Sequence, residues 1–379
     1  MKSAGHISLV LLVLLTVPPA VFSDPPDGDR LTIDFEMVEQ GLEWLELVRS
    51  GADDDRLKEF FMRRVAPTKG CQAVIHHWAR FREWNEETLF TFIMEALDRA
   101  PTKQKLENED GTPTMFAHRR ALWRGAVDNI DGMRRDLEAV RAADLENSLA
   151  IARTALPGEA RIEADFSFVL FGHSTAFSVG RENGFDFLQL PRDESGIVID
   201  ELIRTFAHEL HHCGFNDLSR RNVPEDPEGR IFLLGILAAE GMPTYFIDRP
   251  WQEIGRLKRH PDSLQRQVAR DWETHSGRIR DLYAAAERDM LLNLEGNKKS
   301  RDILMTWMAG VKGPAYVLGA DMFSVIDAYL GRETALRVAA DYRKFLRYYN
   351  FAAEKAVRAG VSLHVFDPDL VRRLTGFGE

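Results

Sequence analysis

The segment Ala207-His208-Glu209-Leu210-His211-His212 constrains this chain more than any other, because H-E-x-x-H has chemical meaning only on a helix with one side open to a bound ion. At about 100° per residue, His208 and His212 lie within about 40° of each other, one turn apart, so both imidazoles reach one tetrahedral metal. Glu209 is displaced by about 100°, off the ligand side but within reach of a water on the metal's open side, where a general base must sit. His211 lies about 60° from His208 on the side away from Glu209, which leaves a His208/His211 pair as a geometric alternative.

The flanking residues support a helix. Ile197, Val198, Leu202, Ile203, Phe206, Ala207 and Leu210 recur with helical spacing, and Gly214 stands where a C-cap is expected. A zinc site that performs chemistry needs three protein ligands and one open position. Glu240 is the sole acid in the apolar run Leu233 to Tyr245, where burial is costly for a carboxylate that is neither paired nor metal-bound. Glu240 is therefore the candidate third ligand; the competing reading places it on the exposed side of an amphipathic helix.

The rest of the chain narrows the setting. With 45% hydrophobic and 28% charged residues it has ordinary globular composition. Residues 1–23 have the pattern of a cleavable signal peptide: Lys2, an apolar run from Ile7 to Val17, Pro18-Pro19, and small residues ahead of Asp24. That run is well short of the ~20 residues a membrane span needs. Cleavage near Ser23/Asp24 predicts a secreted or periplasmic protein with no integral membrane segment. It also removes one lysine and no acid, taking the formal charge from −10 to −11, which argues against a nucleic-acid partner. In an exported chain Cys71 and Cys213 can form one disulfide.

Residues 24–156 have the spacing of successive amphipathic helices (Phe35 to Val48, Leu57 to Val65, Glu87 to Leu97, Met133 to Leu156). Arg161 to Phe171 and Ala176 to Leu190 form the one β-textured region, with a hairpin turn at Asn183-Gly184 and Phe185 to Leu190 as a candidate edge strand for a bound peptide. Helical spacing returns from Gly196 onward. The expected class is α+β, predominantly helical, with a signal peptide (1–23), an N-terminal helical region (24–156) and a domain of residues 157–379 carrying the motif.

His208-Glu209-Leu210-His211-His212 followed by Ala239-Glu240-Gly241 resembles the gluzincins, and within them a group of zinc-dependent peptidases. The resemblance spans roughly Phe166 to Leu330. It implies a zincin-like domain with a small sheet over the motif helix, zinc held by His208, His212 and Glu240, Glu209 activating the zinc-bound water, and a peptide or protein substrate. A Tyr-x-x-Gly-x-x-Met segment resembling these peptidases makes Tyr316 the implied oxyanion donor, with Tyr245 as runner-up. Pro243 departs from the usual alanine and predicts a kink after Glu240. Glu182-Asn183 resembles the end of an aminopeptidase motif, but Arg181 replaces its methionine, so endopeptidase and aminopeptidase both stay open. Two other readings also stay open: a non-catalytic binding or scaffold protein on the same frame, and a zinc hydrolase of a non-peptide bond such as a cell-wall amide.

Overall fold

Alternation of side chains along Glu163–Val169 gives a strand buried on both faces: Phe166 and Phe168 point one way, Ser167 and Val169 the other. The computed structural model describes residues 28–378 apart from 80–82, 103, 108–113, 173–174, 180–181 and 261–262. The signal segment 1–23 and His173 lie outside the described residues. The fold is predominantly helical around a four-stranded mixed sheet. Its strands are β1 (Arg30–Asp34), β2 (Glu163–Val169), β3 (Ala176–Val179) and β4 (Glu182–Asp186), in the order β1-β2-β4-β3. β1–β2 and β2–β4 are parallel, and β3 adds antiparallel to β4.

One face of the sheet is aromatic and receives the motif helix, Ile199–Asn222. Phe206 of that helix sits among Phe166, Phe168 and Phe185, with ring centroids 4.6, 6.2 and 5.9 Å away. The helix lays Leu202, Phe206 and Leu210 into the core at i, i+4 spacing, with Leu218 eight residues further on, and carries Asp200 and Glu201 in its first turn and Arg220 and Arg221 in its last, charges that suit its dipole. The opposite face is covered by helix Lys69–Ala79, where Gly70 lies against Val169 and the His77 ring is 4.6 Å from Phe177.

Several expectations are corrected here. The motif helix runs past Gly214 to Asn222; Gly214 is an internal position where a Cβ would come within 2.4 Å of Leu156, so the glycine serves packing rather than a cap. Asn183-Gly184 is not a turn but part of β4, where the Phe177 ring covers Gly184 so closely that a Cβ there would lie 2.1 Å from it. β4 is an inner strand and Phe187–Gln189 is a 3-10 turn, so the edge on that side of the sheet belongs to β3. β1 went unforeseen; it joins residues before position 157 to those after it in one sheet, and one hydrophobic core includes both. Met133 to Leu156 is two helices, Ile130–Ala142 and Asn147–Arg153. Cys71 and Cys213 are free thiols, belonging to helices on opposite faces of the sheet. Among the described residues no helix is long and apolar enough to cross a membrane.

Helices Phe232–Pro243 and Pro314–Leu330 cross with their backbones nearly touching. A Cβ on Gly241 would lie 2.4 Å from the Gly319 carbonyl carbon, and one on Gly319 would lie 2.3 Å from the Leu237 oxygen. Because backbone cannot step aside as a flexible side chain can, Gly319→Ala should cost about 1–3 kcal/mol, read as a shift in the urea midpoint at unchanged m-value. Gly125→Ala, with nothing within 4 Å, is the control expected to lose no stability.

Candidate metal centre

The Gly241–Gly319 crossing delivers Glu240, next to Gly241, and Tyr316, one turn before Gly319, to the flank of the motif helix that carries His208 and His212. There His208, His212 and Glu240 each offer one ligand atom, all within 4.8 Å of one another. His208 Nε2 is 3.5 Å and His212 Nε2 3.6 Å from Glu240 Oε2, and the two imidazole centroids are 4.8 Å apart. Two imidazole nitrogens, which become neutral donors when a metal displaces their protons, and one carboxylate around a shared gap suit zinc.

The electrostatics of the pocket fit a cation. Burial alone would lower the His208 pKa, but the charge and hydrogen bond of Asp248 and the hydrogen bond of Glu240 outweigh it and raise it to about 10. Burial would raise the Glu240 carboxyl, yet His212 and His208 hold it well below its usual range. A largely buried carboxylate, 18% exposed, thus meets two imidazoles, and a divalent ion between them would satisfy all three.

His208 Nδ1 lies 3.0 Å from Asp248 Oδ2. A carboxylate only accepts, so Nδ1 carries the proton of that bond and Nε2 is the atom aimed at Glu240. Asp248 ends a π-helical turn, Thr244–Asp248, that follows Pro243. The proline ring and its missing N–H replace regular α-helix there, and the wider turn brings Asp248 back to His208. The same turn sends Tyr245 elsewhere: its hydroxyl donates to Asp327 Oδ2 at 3.0 Å.

Glu209 is half-buried, and its charge reaches both Tyr316 and Cys213. Tyr316 shares a hydrogen bond with Glu240; burial first, then the charges of Glu240, Glu209 and Asp248, push its hydroxyl pKa far up, so it stays a protonated donor. His211 turns from the cluster into the core, fully buried beside the Ala155 backbone, and burial holds its pKa well below the usual value. The His208/His211 pair is therefore not assembled. Glu182 belongs to the sheet face opposite the motif helix, where it meets His76 at 3.3 Å, so it is not aimed at the cluster. Asn183, on the other face, donates to the Asp165 carbonyl and lies 3.9 Å from Cys213 Sγ.

Sequence reasoning missed Asp248 and Lys312. Lys312 Nζ sits 3.0 Å from Asp248 Oδ2 and 4.5 Å from the centre of the Tyr316 ring. Eight residues of unbroken α-helix would have put Asp248 about 80° around from Glu240, and nothing in the sequence announces the π-turn. Lys312 lies in the loop before the helix that carries Tyr316, so helical spacing could not have found it.

A family model described as "Putative zinc dependent peptidase (DUF5700)" matches residues 62–357, more than three quarters of the chain. No curated protein and no solved structure matches it significantly.

The centre predicts a zinc-dependent thermal shift. At free zinc 1,000-fold above Kd the folded state should gain about 4 kcal/mol, seen as a raised Tm by calorimetry. His212→Ala should abolish that rise while leaving the metal-free Tm within a few degrees.

Proposed function

We propose, from the premise that the chain belongs to this family of zinc dependent peptidases, that it is an exported metallopeptidase in which His208, His212 and Glu240 hold zinc and Glu209 is the general base. The observation that carries the reading is the convergence of those three donors, contributed by two helices, beside Glu209 and Tyr316. Two ligands from the motif helix and one from the following helix make this a gluzincin-type set. The small sheet with its antiparallel edge strand against that helix supports a zincin-like fold. Export rests on the sequence of residues 1–23.

Bound zinc would supply Lewis acidity toward the scissile carbonyl and acidify water in the site. Glu209 accepts a proton from the attacking water as its oxygen bonds to the carbonyl carbon. Tyr316, kept protonated by its buried, acidic surroundings, donates a hydrogen bond to the developing oxyanion. The same proton then passes from Glu209 to the amide nitrogen as the C–N bond breaks and the amine leaves. Asp248 holds the His208 ring in orientation throughout.

Turnover of a broad peptide library, with zinc content measured on the same samples, tests this. Glu209→Gln should keep about one zinc per chain and lose roughly 10²–10⁴-fold in kcat/KM. Tyr316→Phe should lose roughly 10²–10³-fold in kcat with KM nearly unchanged. Full activity in Glu209→Gln would refute the mechanism, and zinc without any peptide turnover in the wild type would point to a binding protein instead.

A further inference from the structure

The chemistry above leaves Lys312 without a part, although its ammonium is held against the centre. Asp248 Oδ2 faces His208 Nδ1 and Lys312 Nζ at 3.0 Å each, so one carboxylate oxygen divides between an imidazole and an ammonium. The Lys312 side chain is 20% exposed. Its loop is pinned: Asp271 Oδ2 accepts from the backbone N–H groups of Val311 (2.9 Å) and Lys312 (3.2 Å), and Gly313 then starts the helix that carries Tyr316. Formally, Glu209, Glu240 and Asp248 place three negative charges at the centre and Lys312 one positive charge. The surplus of two equals the charge of one divalent ion.

We propose that Lys312 is a positioning residue that sets the charge of the metal centre, limiting through Asp248 the electron density that His208 offers the ion and fixing the Tyr316 ring beneath its ammonium. This rests on the zinc reading above. Its consequence runs against the usual expectation for residues behind a metal ligand: removing the cation strengthens the grip on zinc instead of weakening it. With the ammonium gone, the full charge of the Asp248 carboxylate acts on a divalent ion at the centre. A centre gripped harder is also a weaker Lewis acid, so turnover should fall as affinity rises.

The test is zinc affinity of the full metal-free protein, measured by competition with a chromophoric chelator at fixed pH, with circular dichroism confirming the fold. Lys312→Met and Lys312→Gln should bind zinc roughly tenfold tighter than wild type. Lys312→Arg, which keeps the charge, should match wild type, and Asp248→Asn should bind 10- to 100-fold more weakly. In the Asp248→Asn background, adding Lys312→Met should no longer tighten binding to the same extent, because the shared carboxylate is gone. Equal or weaker binding in folded Lys312→Met and Lys312→Gln overturns the inference while leaving the zinc reading intact. Failure of the wild type to bind zinc overturns both.

Discussion

Glu240 is a carboxylate carried by one of the most apolar helices of the chain, and its need for positive partners organises the centre. Phe232–Pro243 contributes Leu233, Leu234, Leu237, Ala238 and Met242 to the core, so the helix cannot rotate Glu240 to solvent without exposing them. The carboxylate is therefore committed to the side facing His208 and His212, and the surrounding structure makes that commitment tolerable. The Gly241–Gly319 contact brings Tyr316 within hydrogen-bonding range of the same carboxylate.

The supports behind that arrangement are layered. Phe206 wedges the motif helix into the aromatic face of the sheet, so the helix has one seating and His208, Glu209 and His212 share one flank. The π-turn after Pro243 returns Asp248 to the rear of His208, and Lys312 closes the series on the far side of Asp248. Imidazole, carboxylate and ammonium form a chain that orients the His208 ring through charge-assisted hydrogen bonds.

Much of the centre was legible because its residues are few and their spacing is geometric. One helical turn separates His208 from His212, and Glu240 stands out as an acid in an apolar run; the structure brings all three together. Tyr316 was singled out through resemblance to related peptidases and lies beside Glu240, and Gly319 in that pattern is explained by the backbone crossing. Pro243 correctly signalled a departure from regular helix, though not its consequence. What stayed hidden depends on tertiary contacts. Asp248 reaches His208 only through the π-turn. β1 does alternate polar and apolar residues, but it is a five-residue edge strand more than a hundred residues from its partner in the sheet, and that pairing is a tertiary contact. Asn183-Gly184 has turn chemistry, yet Gly184 is a glycine because Phe177 occupies the space of its side chain.

The central claim is that two imidazoles from one helix and the Glu240 carboxylate from the next form a single metal centre. Zinc K-edge X-ray absorption on the zinc-loaded protein, compared with Glu240→Ala, tests it most directly. The account predicts one zinc per chain with two nitrogen neighbours at about 2.0–2.1 Å and oxygen neighbours at about 2.0–2.2 Å, one of the oxygens being lost or replaced by water in Glu240→Ala. A zinc environment unchanged by that substitution, or one containing sulfur from Cys213, would contradict it.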